Sequence, residues 1–270
     1  MRWKYVLKLL ARSRSPSFAL QFARNAPSAQ LAKLRWHGRD VYYRPGTSDA
    51  TIIYAILLKR GTKAEYYVPP ALAPEVILDI GSHIGTSILY FRRLFPNARI
   101  IGFEPHPATF EILQRNVSGL PGISIFNYGL GAEDGSVAIP FRGSDYSGFG
   151  AQPYVHRMDT ETQPTQIEMR QAAPLLQSLG IAQVDLIKID CEGAEVDILV
   201  GLPEEMLRGC KWITGEMHDA SAFQLLARLA PHFDLDLRKT MFQSKFRFHA
   251  CNLTLAPALR GQFDSAALQT

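Results

Sequence analysis

From Val76 onward the chain alternates between two hydrophobic rhythms. Short runs of consecutive apolar residues, many of them β-branched, read as strands buried on both faces. Between them, apolar positions recur every three or four residues, the spacing of a helix with one buried stripe. The strands predicted are Val76–Ile80, Arg99–Phe103, Ile123–Asn127, Val184–Asp190, Lys211–Glu216, Asp234–Leu237 and Phe246–Leu253. The helices predicted are Ile84–Phe95, Pro107–Val117, Pro174–Gly180, Ala194–Gly201, Glu204–Arg208 and Ala220–Leu229. Such alternation defines an α/β protein with a parallel sheet covered by helices on both faces. Upstream, Trp3, Val6, Leu7 and Leu10 mark a short amphipathic helix, followed by Ser/Pro breaks around Ser13–Ser17 and Ala26–Ser28. Arg44-Pro45-Gly46-Thr47-Ser48-Asp49 reads as a turn into a helix over Ile52 to Leu58, with Asp49 placed to cap it. Residues 143–165, rich in Gly, Ser, Pro and Thr, are expected to form a loop over a site. Phe141, Tyr146, Phe149 and Tyr154 supply aromatic character in and beside that loop.

Composition sharpens this picture mainly through charge. The 270 residues are 47% hydrophobic and 20% charged, the profile of a folded protein rather than a disordered one. The net charge of +4 is unevenly spread: residues 1–45 carry ten Lys/Arg against Asp40 alone, a net of +9, which leaves −5 for residues 46–270. Two regions follow, a basic N-terminal extension at 1–45 and an α/β domain at 46–270. An acidic domain gives no reason to expect a nucleic-acid partner. The basic amphipathic start reads as a solvated cap, and residues 1–24 have a second reading as a peripheral contact with an anionic membrane surface. Cys191, Cys210 and Cys251 are odd in number and lack CxxC spacing, which points away from a disulfide framework or a zinc site. Lys8, Arg12 and Arg14 break the N-terminal apolar run, so a membrane span is not expected and the cytoplasm, or the inner membrane surface, is the expected location.

Candidate chemistry collects where strands end. Val76-Ile77-Leu78-Asp79-Ile80 runs into Gly81-Ser82-His83-Ile84-Gly85, a strand closing on an acid and a glycine turn that opens a helix. Amides at such a turn are electropositive, and glycine lets a ligand approach the main chain. The spacing is G-x-x-x-G, not the G-x-G-x-x-G that wraps a dinucleotide, which demotes NAD and FAD. Glu104 follows the next strand, about 20 residues after Gly85, where an acid is placed to accept hydrogen bonds from both hydroxyls of a ribose. Together the two features argue for a nucleoside-containing cofactor at the carboxyl edge of the sheet. Val184-Asp185-Leu186-Ile187-Lys188-Ile189-Asp190-Cys191-Glu192-Gly193-Ala194-Glu195 then brings charges to the same edge, where burial without a task would be costly. Lys188 is expected to pair with a carboxylate, and Glu192 and Glu195 to place favourable charge at a helix start.

The blocks VILDIGSHIGTSILYF, IIGFEPHPATFEILQRNV and VDLIKIDCEGAEVDILVG, with RPGTSD upstream and ITGEMHD downstream, resemble the FkbM-type methyltransferases. The likeness spans about residues 44–220. It implies a Rossmann-like class I methyltransferase fold, a seven-stranded mostly parallel sheet with an antiparallel last strand, and S-adenosylmethionine as cofactor. It implies methyl transfer, usually to a hydroxyl oxygen, and so a small-molecule or glycan acceptor. Asp79, Gly81 and Gly85, with Ser82 between them, match the motif that holds the methionine part of the cofactor. Glu104 matches the ribose acid, Asn127 and Gly131 fall at the adenine pocket, and Asp190 matches the acid beside the methyl donor.

Methyl transfer from a sulfonium is an in-line displacement, so the protein mainly aligns nucleophile, methyl and sulfur and excludes water. A hydroxyl acceptor must also lose its proton, to a base or with help from a metal. Asp190, Glu216 and His218, at the tips of adjacent strands, are the candidates for either role, a divalent cation such as magnesium being the metal in the second. His218 alone is a further option, since a free imidazole titrates near neutrality. Two other classes stay open: an NAD- or nucleotide-sugar-dependent Rossmann enzyme, and a non-catalytic S-adenosylmethionine-binding module.

Overall fold

The computed structural model describes residues 2–139, 164–218, 222–239 and 246–263. Its centre is a seven-stranded sheet, whose strands are numbered here along the chain: β1 Val76–Ile80, β2 Arg99–Phe103, β3 Ile123–Phe126, β4 Leu186–Ile189, β5 Trp212–Met217, β6 Phe233–Lys239 and β7 Phe246–Asn252. Their order across the sheet is β6-β7-β5-β4-β1-β2-β3. The pairs β1·β2, β1·β4, β2·β3 and β4·β5 are parallel, and β7 runs antiparallel to both its neighbours. All seven expected strands are present within two residues of their expected ends. The sheet is Rossmann-like, and its strand order reverses between β1 and β4, where α/β sheets open a crevice at their carboxyl ends.

The two faces are covered by different parts of the chain. Alternate residues of one strand, such as Ile77 and Leu78, or Leu186 and Ile187, enter two separate apolar clusters. One cluster takes Ile88, Leu89 and Phe91 from the helix Thr86–Leu94 and Ile112, Leu113 and Val117 from the helix Pro107–Val117. The other takes Leu176, Ile198, Leu199, Met206, Leu207 and Leu225 from the helices Ala172–Ser178, Glu195–Gly201, Glu204–Gly209 and Ala222–Leu229. Complete burial of an Ile or Leu side chain is worth about 1.5–3 kcal/mol, so the double layer accounts for most of what holds the sheet.

The N-terminal region adds structure that the hydrophobic pattern only partly reveals. The expected first helix is Arg2–Ser13, a second spans Pro16–Arg24, and Ala32–Trp36 pairs with Arg39–Tyr43 as a hairpin. Ser15 caps the second helix by accepting from the Phe18 amide at 3.2 Å. Leu9, Phe18, Leu34, Val41 and Tyr43 join the first of the two clusters. The helix Asp49–Ile53 continues as a wider π-turn, Tyr54–Leu58. Two carbonyls of that wider turn bond outside it: Leu57 accepts from Trp36 Nε1 at 3.2 Å and Leu58 from Arg12 at 3.4 Å.

Between β3 and β4 a second small sheet forms, with Thr165–Gln171 parallel to Gly129–Gly131 and antiparallel to Gly135–Ile139. The loop expected at 143–165, with Phe141, Tyr146, Phe149 and Tyr154, lies outside the described residues except for Pro164 and Thr165. Among the described residues no helix is long and apolar enough to cross a membrane.

Candidate active site

Five strand ends carry the site, because each parallel strand hands its next residue to the same edge. Gly81 follows β1, Glu104 follows β2, Asn127 follows β3, Asp190 follows β4 and His218 follows β5. The sheet register sets the first contacts: Asp79 is paired with Gly102 on one side and Lys188 on the other. Lys188 Nζ lies 3.4 Å from Asp79 Oδ1 and donates to the carbonyls of Ile80 and Gly81 at 3.1 and 2.5 Å. Ser87 Oγ donates to Asp79 Oδ2 at 2.6 Å. Asp79 is fully buried, so it lies beneath the glycine turn and braces it through Lys188. The expected pairing of Lys188 with a carboxylate is thus what forms.

The turn uses its glycines for the fold as well as for any ligand. Gly81 has φ +78, and a Cβ there would come within 1.9 Å of the Asp190 carbonyl. Gly85 has φ +87, and a Cβ there would meet Leu113 Cδ1 at 2.7 Å. The fold itself thus requires both glycines, Gly81 against the strand end beside it and Gly85 against the neighbouring helix. Ser82 is buried, with Oγ donating to the Asp79 carbonyl at 3.0 Å.

Glu104 is 7% exposed and accepts two main-chain bonds, from His83 N to Oε2 and from His106 N to Oε1, both at 2.9 Å. Burial pushes its carboxyl up to about 7, against those two amides and the more distant charges of Lys188 and Arg44. Asn127 holds the turn behind it by donating to the carbonyls of Glu104 and Pro105 at 2.9 and 3.1 Å. Gly131 ends the short strand of the small sheet, opposite Gln171.

A network built on the turn Arg44–Asp49 packs against the glycine turn. Arg44 makes a bidentate pair with buried Asp49, Nε to Oδ2 and Nη2 to Oδ1, both at 2.8 Å, and reaches Thr109 Oγ1 at 3.1 Å. His83 Nε2 lies 3.3 Å from Asp49 Oδ1. Burial pulls His83 down to about 4, so it is neutral at physiological pH. Ser48 occupies the helix cap position without a side-chain bond, and Asp49, expected as the cap, serves Arg44 instead. The segment is therefore both a turn and a strut that joins the glycine turn to the helix Pro107–Val117.

The opposite side of the edge is a carboxylate–imidazole cluster. His218 Nδ1 bonds Glu195 Oε1 at 2.8 Å, and its Nε2 faces Glu192 Oε2 at 3.2 Å, Asp190 Oδ1 at 3.7 Å and Glu216 Oε2 at 3.8 Å. Glu195 also accepts from the amides of Cys191 and Gly193, both at 3.0 Å, which fixes it at the helix start. Burial alone would lower the His218 pKa, but the hydrogen bond and charge of Glu195, with Asp190 and Glu192, raise it to about 8. Tyr66 OH donates to Asp190 Oδ2 at 2.5 Å, and the Tyr66 ring lies over Lys188 Nζ at 5.0 Å. Glu216 turns its other oxygen towards Arg247 at 3.7 Å, its partner in register on β7.

Asp190, Glu216 and His218 do converge as the strand tips require. Among the described residues, though, the donors that come within 4.8 Å of one another are those of Asp190, Glu192 and His218. Glu192 enters because its backbone has φ +58, which turns the chain back over the strand end before the helix begins. Tyr66, Glu192 and Glu195 were not legible as site residues. Tyr66 lies far from any motif, and the two acids looked like ordinary helix-start charge.

A seven-stranded Rossmann-like sheet whose strand tips gather buried carboxylates and an imidazole along one edge defines the class. The family model described as the Methyltransferase FkbM domain matches residues 79–248, well over half of the chain, and the protein belongs to that family. It is 31% identical over 157 residues to Methyltransferase 1 of Beauveria bassiana, covering 52% of this chain and 63% of that one. It is 28% identical over 177 residues to the 2-O-methyltransferase NoeI of Sinorhizobium fredii, covering 59% and 72%. It is 30% identical over 145 residues to the hexuronic acid methyltransferase AglP of Haloferax volcanii, covering 53% and 56%. The alignments thus span between about half and three quarters of these relatives' lengths.

Proposed function

We propose that this chain transfers a methyl group from S-adenosylmethionine to a hydroxyl oxygen of a sugar, a glycan or a secondary metabolite. The observation that carries the reading is Glu104, a buried carboxylate at the tip of β2 beside the glycine turn. Two amides occupy one lone pair on each of its oxygens, and the other lone pairs suit the paired hydroxyls of a ribose. The names of NoeI and AglP, a 2-O-methyltransferase and a hexuronic acid methyltransferase, support an oxygen acceptor on a carbohydrate.

When bound, the cofactor supplies a methyl carbon made electrophilic by its sulfonium. The chain's own residues do the rest. Asp79 and Lys188 hold the glycine turn, Asn127 and the Arg44–Asp49 pair hold the flanks of the pocket, and Asp190 faces the reacting centre. The acceptor's proton passes to the carboxylate–imidazole cluster. S-adenosylmethionine bound there would supply the methyl group to the acceptor oxygen, its sulfur keeping the carbon–sulfur electron pair, and the part left to these residues is to hold the acceptor in line and take its proton.

Calorimetric titration with S-adenosylmethionine and, separately, with NAD tests the cofactor. The first is expected to bind, with affinity lowered at least about tenfold by Glu104→Ala. Binding of NAD alone would overturn the reading. Labelled cofactor incubated with fractions of the native cell extract then locates the acceptor. Asp190→Asn is expected to lose transfer to that acceptor while keeping cofactor binding.

A further inference from the structure

The two N-terminal helices carry cations that the fold leaves without acids. Residues 1–39 contain no Asp or Glu, while the helix Arg2–Ser13 brings Lys8 and Arg12, the helix Pro16–Arg24 ends on Arg24, and Arg14 lies between them. Among the described residues, none of these is paired with a carboxylate. Bases further along the chain are: Lys33 and Arg35 pair with Asp40, and Arg44 with Asp49. The same helices leave apolar side chains in water. Both bury an inner face, Leu9 of the first and Phe18 and Ala19 of the second, in one apolar cluster. Their outer faces turn away from that cluster together. The first presents Leu7, 63% exposed, with Leu10 and Lys8, and the second presents Leu20, 49% exposed, with Arg24 four positions on and so on the same face.

The positive surface continues beyond the helices. Arg12 Cζ lies 5.7 Å from the centre of the Tyr54 ring, and Lys59 Nζ lies 5.9 Å from the same centre. Burial pulls the Lys59 pKa down; Glu65 opposes this, and the charges of Arg247, Arg12 and Lys8 add to it. Glu65 is itself held by Arg247 at 2.6 Å, and Arg247 reaches Glu216 at 3.7 Å. A run of like charge therefore leads from the first helix to the edge of the sheet that carries the site, and within the helices nothing of opposite sign interrupts it.

We propose that the outer face of these two helices docks the protein on an anionic lipid bilayer, with Leu7, Leu10 and Leu20 in the interface and Lys8, Arg14 and Arg24 against the headgroups. Leucines interleaved with cations match a surface that is apolar below and negatively charged above. A nucleic-acid backbone would use the cations and leave the leucines in water. A second copy of this chain would set the same charges against each other. The helices have 12 and 9 residues, well short of the about 20 that a bilayer core requires, so the contact is peripheral. The proposal concerns how the protein is placed in the cell and does not depend on the reaction at the strand tips.

The test is flotation of the full-length protein with vesicles of phosphatidylcholine and phosphatidylglycerol in equal parts, and with vesicles of phosphatidylcholine alone. Binding to the mixed vesicles and not to the neutral ones is expected, weakening as salt is raised. Lys8→Gln and Arg24→Gln are each expected to weaken it about fivefold, and the joint Leu7→Gln, Leu20→Gln variant at least about tenfold. Val137→Gln, which removes a comparably exposed apolar residue from the small sheet, is expected to change nothing. Thermal unfolding of each variant reports folding separately. Absence of binding to the mixed vesicles at low salt, equal binding to the neutral ones, or binding indifferent to the helix variants overturns the docking surface. Self-association that the leucine variant abolishes, without vesicle binding, also overturns it and assigns the face to a second copy of this chain. Titration with S-adenosylmethionine is unaffected by any of these results, so the methyltransferase reading is tested apart from this one.

Discussion

Glu104 is a carboxylate kept in a place that favours its neutral form. Its pKa rises from 4.5 in the unfolded chain to about 7 in the fold, so the unfolded state releases its proton first as pH rises. The folded state then binds more protons between those values, and stability falls with pH across that window. The shift corresponds to roughly 3 kcal/mol at most when the group is fully ionised. Chemical denaturation at pH 5 and pH 8 is therefore expected to show the unliganded protein losing stability across the interval, with a flatter dependence in Glu104→Gln. Cofactor should remove part of the loss, because ribose hydroxyls donate best to the charged form. Lys188 gives the complementary case. Lys188→Met leaves Asp79 charged and buried without its partner, and a loss of about 3–5 kcal/mol is expected in a denaturant titration. The sequence showed both residues as charges at strand ends, and Lys188 as a partner for a carboxylate. It did not show which carboxylate, because the pairing with Asp79 depends on the parallel register of β1 and β4, two strands more than a hundred positions apart in the chain.

Among the elements, those with an unambiguous hydrophobic rhythm were legible and those held by contacts were not. The seven central strands and their covering helices follow from runs that can only be buried, such as Ile100-Ile101 or Leu186-Ile187. The hairpin Ala32–Trp36 with Arg39–Tyr43 has only five residues per strand, with Lys33, Arg35, Arg39 and Asp40 among them, and it is fixed by packing of Leu34 and Val41. The strand Thr165–Gln171 is equally polar and exists through its two neighbours. The glycine turn shows the same limit. Its residue types were plain, but the need for Gly81 comes from the Asp190 carbonyl on the neighbouring strand end. Gly81→Ala combines a positive φ with a Cβ that the backbone cannot accommodate, and a loss of more than about 2 kcal/mol is expected in thermal unfolding, with loss of cofactor binding.

For the molecule as a whole, charge alone divided a basic start from an acidic remainder, whereas packing joins them. Phe18 is fully buried, meets Tyr43 edge-on with ring centroids 5.4 Å apart, and belongs to the same apolar cluster as Ile77 of β1. Phe18→Ala is expected to cost about 3–5 kcal/mol, measured as a lowered Tm. Removal of residues 1–24 would cost more, so it cannot serve as a clean test of membrane contact. Substituting the exposed Leu7, Leu10 and Leu20 by Gln and measuring liposome binding is the appropriate experiment.

Arg44 and Asp49, which hold His83, and Tyr66, which holds Asp190, all precede the stretch matched by the family model, which begins at residue 79. A fragment cut at that boundary would retain the acids at positions 104, 190 and 216 and the ring at 218. It would lose the hydroxyl that aims Asp190 and the guanidinium that ties the first turn to its neighbouring helix. The unit that positions the strand-tip groups is therefore longer than the stretch the family model matches. Comparisons confined to that stretch align the strand-tip groups while leaving out the residues that orient them.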